Sequence, residues 1–312
     1  MFPASNYSSV TEFILLGFSS DPALNRIFFI IFLLLYLCSV LANGLIIILI
    51  CLDSHLHTPM YFFLSNLSLL DIGNVTAIMP QMLVHMLSSS KLISFERCWM
   101  QLYIFGVIGI SEGIFFAVMA YDRYIAICFP LRYMLILNWD LCVWLVVGAW
   151  ASGFFFSIFH VFFTMKLPFC GHNVINHYFC DGLSVRNLAC RDTHIIELVD
   201  LVLSIFTMLI PLSLILASYV RITMAILKIK STQGRYKAFS TCASHLTVVT
   251  MFYAPVIYIY MRSNSIHSPE KIKVISLFYN VFTAFLNPMV YSLRNKDIKA
   301  AFIKVMMRNR VA

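Results

Sequence analysis

Seven stretches of this chain run apolar for about twenty residues or more, and that recurrence limits the fold more than any other feature. About twenty apolar residues is the length that crosses a bilayer as a helix. In hydrocarbon every backbone N–H and C=O must be satisfied within the protein, so several such runs in one chain point to a helical bundle. The composition agrees: 61% of residues are hydrophobic and only 12% are charged, about half the charge of a soluble domain. The sequence therefore predicts an all-α membrane protein, a seven-transmembrane helix bundle with an extracellular N-terminus and a cytoplasmic C-terminus. The spans fall at about 27–51, 59–87, 98–125, 141–162, 195–227, 238–261 and 272–293. Residues 1–26 form an extracellular N-terminal segment, and residues 294–312 form a cytoplasmic tail. Residues 1–26 show no basic region ahead of an apolar one, so no cleaved signal peptide is expected and the first span serves for targeting.

Charge placement sets the orientation. Of the 22 Lys and Arg, thirteen fall on the side that carries Arg123 and nine on the other. The excess marks the Arg123 side as cytoplasmic. Asn6-Tyr7-Ser8, a glycosylation acceptor, then lies outside, where such sites are used. Asn66-Leu67-Ser68 and Asn74-Val75-Thr76 have the same form but lie inside an apolar run, away from the modifying enzyme. Four cysteines also fall outside: Cys98, Cys170, Cys180 and Cys190. They read as two disulfides, with three pairings open from sequence alone. His172 and His177 give the same loop a metal-like spacing, with His177 three residues before Cys180, but cysteines held in disulfides are not ligands. Cys38, Cys51, Cys128, Cys142 and Cys242 lie in spans or at their inner ends and are expected to be free.

Polar residues inside spans are the functional candidates, because each is costly in hydrocarbon unless partnered. Asn43 is the one strongly polar side chain of the first span. Asp71 sits about three turns into the second, with Glu112 and Asn287 as candidate partners. Asp122 and Arg123 are adjacent and opposite in sign at the inner boundary of the third span. Gly106, Gly109 and Gly113 recur on one face of that span and allow close packing or a cavity beside it. Ala149 and Gly153 form a small-xxx-small pair in the fourth span, suited to helix contact. Glu197 and Asp200 read as solvated charges near the outer end of the fifth span, with a cavity contact for Asp200 as the alternative. Pro211 is expected to kink that span. Lys228, Lys230, Arg235 and Lys237 form a short basic loop, and Lys296 to Arg310 reads as a basic amphipathic helix on the membrane surface.

Several strings resemble one family along nearly the whole chain. Met119-Ala-Tyr-Asp-Arg-Tyr-Ile-Ala-Ile-Cys128 is similar to the Asp-Arg-Tyr motif of olfactory receptors, a branch of the rhodopsin-like G-protein-coupled receptors. The strings around Leu56 to Ser68, Pro130 to Tyr133, Ser218-Tyr219, Lys237 to His245 and Asn287 to Asn295 match the same family. Ile175 to Asp181 resembles its land-vertebrate, class II branch. The chain departs at Ala42, where the family usually has glycine, and at Ala254, where glycine usually follows the tyrosine. The resemblance implies the disulfides Cys98–Cys180 and Cys170–Cys190. It also implies a switch in which Arg123, held by Asp122 at rest, is released, Pro288 weakens the seventh helix, and Tyr291 swings toward Tyr219 and Arg123. Tyr124, His245 and Asn287 belong to the same activation and coupling set. Asp71 and Glu112, with Asn43 nearby, are implied to form a polar core linked to sodium or protons, beside the plainer reading of a structural hydrogen-bond node. No other metal and no cofactor are expected.

The acidic groups are dispersed, no phosphate-binding loop follows a strand, and no Ser-His-Asp set is visible, so no enzyme is expected. No basic, aromatic-interleaved patch suggests nucleic acid. The resemblance implies an odorant receptor in the plasma membrane of olfactory cilia, coupled to a stimulatory heterotrimeric G protein that raises cAMP. By depth, the small apolar ligand is expected against Phe105, Gly106, Gly109, Ile110, Leu203, Thr207, Tyr253, Val256, Ile257 and Tyr260, with Thr207 and Tyr260 donating hydrogen bonds. Phe105 stands where amine receptors carry an aspartate, which argues against a biogenic amine. The alternatives are a rhodopsin-like receptor for another small lipid or peptide and a secondary transporter, although no internal repeat supports the latter. A light receptor would need a mid-span lysine in the seventh helix, and Lys273 lies at its outer edge.

Overall fold

The computed structural model describes residues 10–169, 171–190, 194–260, 269–293 and 296–308. Its helices are α1 (Pro22–Leu52), α2 (Pro59–Leu87), α3 (Phe95–Cys128), the short α4 (Tyr133–Ile136), α5 (Trp139–Met165), the loop helix α6 (Gly182–Arg186), α7 (His194–Ser204), α8 (Ile210–Leu227), α9 (Thr232–Tyr260), α10 (Pro269–Leu277), α11 (Thr283–Leu293) and α12 (Lys296–Arg308). Among the described residues seven segments are long and apolar enough to cross a membrane, because α7 with α8, and α10 with α11, each form one span.

The helix starts follow local chemistry. The Asp21 carboxylate accepts from the Ala23 N–H and Pro22 occupies the first turn of α1. Asn138 caps α5 by accepting from the Leu141 N–H at 2.8 Å. Pro59 opens α2, where its missing N–H removes no helical bond. Small residues set the spacing of α3 and α5. A Cβ added to Gly153 would stand 2.6 Å from the Val107 carbonyl oxygen, so only glycine permits this approach. Ser111 donates to the Ala149 carbonyl at 3.3 Å and Ser157 to the Tyr103 carbonyl at 2.9 Å, which stitches the same seam.

Both composite spans contain a π turn, Ile205–Leu209 and Phe278–Phe282. The Ile210 N–H reaches back to the Ile205 carbonyl and the Thr283 N–H to the Phe278 carbonyl, and the Thr283 hydroxyl also donates to Phe278 at 2.9 Å. Pro211 is the residue expected to kink the fifth span. It sits in the first turn of α8, just after a π turn, where its missing N–H is accommodated by the wider turn.

The N-terminal segment is more ordered than a polar head. Glu12–Leu15 forms β1, which pairs antiparallel with β2 (Leu92–Ser94) and parallel with β3 (Val174–Ile175). Phe13 and Leu15 point inward and are fully buried, while Glu12 faces solvent, the period-two alternation of a half-buried strand. The purely helical expectation therefore misses a small sheet roofing the outer end. Beneath it lies a second core containing Ile93, Trp99, Leu102 and Ile175, pinned by the Cys98–Cys180 disulfide, which ties the long loop to α3. Cys170 lies outside the described residues, so its pairing stays an expectation, as does glycosylation of Asn6, which also lies outside them. At the inner end α12 docks on the bundle: Ile298 and Ala301 are buried, Tyr61 donates to Asp297 at 2.9 Å, and Lys304 pairs with Asp53 at 3.1 Å.

Candidate functional site

A cavity of about 590 Å³ lies in the outer half of the bundle, under the roof. This is within the size range of small-molecule sites. Its spine is one face of α3 from Leu102 to Gly113, about 16 Å of helix. Phe105, Leu183, Leu203, Met208, Phe252 and Val256 make the middle apolar. Gly109 shows why α3 can border a cavity: a Cβ added there meets nothing within 4 Å. Its two neighbours on that face do different work. A Cβ on Gly106 would meet the Ser157 hydroxyl at 2.5 Å, and one on Gly113 the Tyr253 hydroxyl at 3.3 Å.

The π turns place the other walls. Thr207 and Met208 come from the first, Tyr279 and Asn280 from the second. The wider turn changes the helical phase, which turns these residues inward. Such turns are frequent at functional sites.

The mouth carries a charged knot. Asp200 of α7 accepts from His160 of α5 at 2.8 Å and pairs with Arg186 of α6. Only 13% of the Asp200 side chain and 11% of Arg186 is exposed. Asp200 is therefore a partnered wall residue rather than the solvated charge its position suggested. Glu197 also lines the cavity.

Of the residues predicted to meet a ligand, Phe105, Gly106, Gly109, Ile110, Leu203, Thr207 and Val256 all line this cavity. Tyr253 does not. Its buried hydroxyl donates to the Gly113 carbonyl at 3.0 Å, which Gly113 leaves accessible. Ile257 packs instead against the main core. The Tyr260 side chain lies outside the described residues. Thr207 gives its proton to the Leu203 carbonyl at 3.0 Å, so it faces the cavity as an acceptor and not as the donor expected. Reasoning from sequence missed Asn74, Arg186 and Asn280. Asn74 carried a usable signal, being an amide inside a span like Asn43. Arg186 sits in a loop and Asn280 owes its position to a π turn, and neither leaves a mark in the sequence pattern.

Deeper in the bundle Asp71 accepts from the Asn287 amide at 3.0 and 3.1 Å. Glu112 lies within electrostatic range of Asp71, and both are almost fully buried. Asn43 donates to the Ser39 and Ala284 carbonyls at 3.1 and 3.0 Å, binding α1 to α11. Hard oxygens of this kind suit sodium or a shared proton. Among the described residues no group of three or more His, Cys, Asp or Glu could hold a metal ion. His177 is buried against Tyr178 and Phe179, and the sulfur of Cys180 is in a disulfide.

At the inner end Arg123 lies within electrostatic range of Asp122, Tyr219, Cys242, His245 and Tyr291. Tyr219 and His245 share a hydrogen bond of 2.8 Å between the hydroxyl and Nδ1. Tyr291 is buried with its hydroxyl unpartnered among the described residues, as is Arg123 Nε. No ion pair joins Asp122 to Arg123 among the described residues. Asp122 instead accepts from the Tyr133 hydroxyl of α4 at 2.5 Å, and burial and this carboxylate together push the Tyr133 phenol up. Tyr124 stays half-buried on the edge of the main core. Pro288 lies inside α11.

An outer cavity above a buried polar inner end, in seven spans, defines a rhodopsin-fold membrane protein. Squid rhodopsin has the same fold, with a TM-score of 0.73 at 18% identity over 92% of this chain and 87% of that one. The olfactory receptor family profile matches residues 32–309. Olfactory receptor 8G50 of Mus musculus is 47% identical over 306 residues, 98% of each chain. Olfactory receptor 2D2 of Homo sapiens is 48% identical over 304 residues, 97% of this chain and 98% of that one. The chain belongs to the olfactory receptor family, and its relatives are G-protein-coupled receptors rather than enzymes.

Proposed function

We propose that this protein is an odorant receptor. It binds small, mainly apolar molecules in the outer cavity and activates a stimulatory heterotrimeric G protein that raises cAMP, in the ciliary membrane of olfactory neurons. The observation that carries this reading is the cavity of about 590 Å³ beside Gly109, apolar in its middle and roofed from outside. A ligand hiding about 200 Å² of apolar surface gains about 5 kcal/mol at ~25 cal/mol per Å². That corresponds to a dissociation constant of about 0.2 mM before ordering costs. Apolar burial alone thus supports only weak binding, and polar contacts set which odorants are potent.

The ligand acts by favouring one of two pre-existing arrangements. The π turns connect the cavity to the inner end, because each interrupts a span that runs from the cavity wall to the Arg123 cluster. Movement there would reposition Tyr219 and Tyr291 around Arg123 and open the G-protein site. Sodium or a proton at Asp71 and Glu112 would bias the resting arrangement. The test is an odorant panel on cells expressing the receptor, read by cAMP. A dose-dependent response that Gly109→Trp removes while surface delivery persists is expected. Responses unchanged by Gly109→Trp would place the ligand elsewhere.

A further inference from the structure

The inner wall of the cavity holds hydrogen-bond acceptors that the protein does not meet. Asn74 and Asn280 both line it and are 4% and 1% exposed. Each gives one N–H of its amide to the protein, Asn74 to the Asn280 carbonyl and Asn280 to the Tyr178 hydroxyl, both at 3.3 Å. Each leaves its Oδ1 buried with no partner among the described residues. Glu112, 1% exposed, adds a carboxyl to the same wall from α3. Of the donors lining the cavity, Ser204 gives its hydroxyl to the Asp200 carbonyl at 2.7 Å, Thr207 gives its own to the Leu203 carbonyl, and His160 and Arg186 pair with Asp200 at the mouth, where Arg186 Nε has no partner among the described residues.

We propose that this floor selects ligands carrying a hydrogen-bond donor, a hydroxyl or a protonated amine, whose apolar body lies along α3 toward Phe105. The inference rests on the cavity being the ligand site. Buried acceptors left without a donor are unfavourable, and a ligand donor relieves Asn74, Asn280 or both. An ether, ketone or carboxylate would set its own lone pairs against the same oxygens. Glu112 draws an ammonium as well as a hydroxyl, so the two head groups share one chemistry. Selection arises from three elements that each bring one polar group to this wall: α2, α3 and the second π turn.

The experiment compares a straight-chain alcohol, its methyl ether and the primary amine of matched length. Thermal stabilisation of the purified full-length receptor and cAMP dose–response are the two readouts. The alcohol, the amine or both should act at about one tenth of the concentration the ether needs. Where the alcohol is preferred, at least one of Asn280→Leu and Asn74→Val, made separately, should bring its potency within about twofold of the ether's by weakening the alcohol and not the ether. A preference for the amine alone assigns the dominant role to Glu112; a preference shared with the alcohol assigns it to the amides. The wild-type comparison needs no variant to fold. Equal potency of alcohol, amine and ether, with all three lost in Gly109→Trp, would overturn donor selection and leave the cavity as the ligand site. Stabilisation that survives Gly109→Trp would overturn both.

Discussion

The two halves of the bundle handle buried polarity in different ways. At the inner end, Asp122, Arg123, Tyr219, His245 and Tyr291 come from regular helices and lie in strings that are recognisable by eye. In the outer half, Asn74, His160 and Asp200 also stand on helices, but their partners do not: Arg186 comes from a loop helix and Asn280 from a π turn. Where helices stay regular, residue spacing predicts neighbours. Where helical phase slips or a loop folds inward, it does not.

The contrast can be broken most severely at Arg123. Arg123→Ala should abolish odorant-stimulated cAMP while surface delivery and ligand-induced thermal stabilisation persist. If ligand stabilisation disappears as well, the halves are not separable.

A smaller effect concerns the roof. Burial between Tyr178 and Phe179 pulls the His177 imidazole down from 6.5 to about 4, with Asp181, Glu270 and Lys273 the charged groups close enough to modulate it. The unfolded chain takes up this proton near pH 6.5, so it holds more protons than the folded one between the two values. The stability held above about pH 6.5 is therefore lost as pH falls toward 4, by about 3 kcal/mol in all. His177→Phe should remove that share, so its melting temperature should pull ahead of wild type on acidification. A constant difference between about pH 7 and about pH 5 would show that His177 is not shielded.

The smallest effect compares two glycines on facing helices. Gly153→Ala should destabilise by about 2 kcal/mol, because its Cβ meets backbone at the α3–α5 seam. Gly109→Ala should be neutral or stabilising by up to ~1 kcal/mol, because it extends into open space on a helix. Melting curves of the two variants rank them, and equal losses would mean that Gly109 is also a packing contact.

Much of the fold was legible. Apolar run lengths located the seven spans, and Pro59 marked the start of α2. The inner cluster was legible because its residues sit in fixed strings. The cavity was legible along α3, where Phe105, Gly106, Gly109 and Ile110 follow helical spacing from Arg123. It was less so on α9, where Tyr253 and Ile257 turn into packing, Val256 reaches the wall, and Phe252, not expected there, reaches it too. The knot around Asp200 was hidden because Arg186 comes from a loop. Asn280 was hidden because a π turn inserts residues into the helical count without any proline or glycine to announce it. The strand at Phe13 and Leu15 could have been found from its alternation, but four residues beside a long apolar run draw little notice.

That strand has a consequence for how the protein is made. β1 emerges early in synthesis, yet the Glu12 carbonyl accepts from Asn173, a residue 161 positions later. Contacts that distant form late, because a long stretch of chain must be ordered first. The sheet therefore closes in two stages: β1 meets β2 as soon as the second span is made, and β3 joins only after two further spans have been threaded.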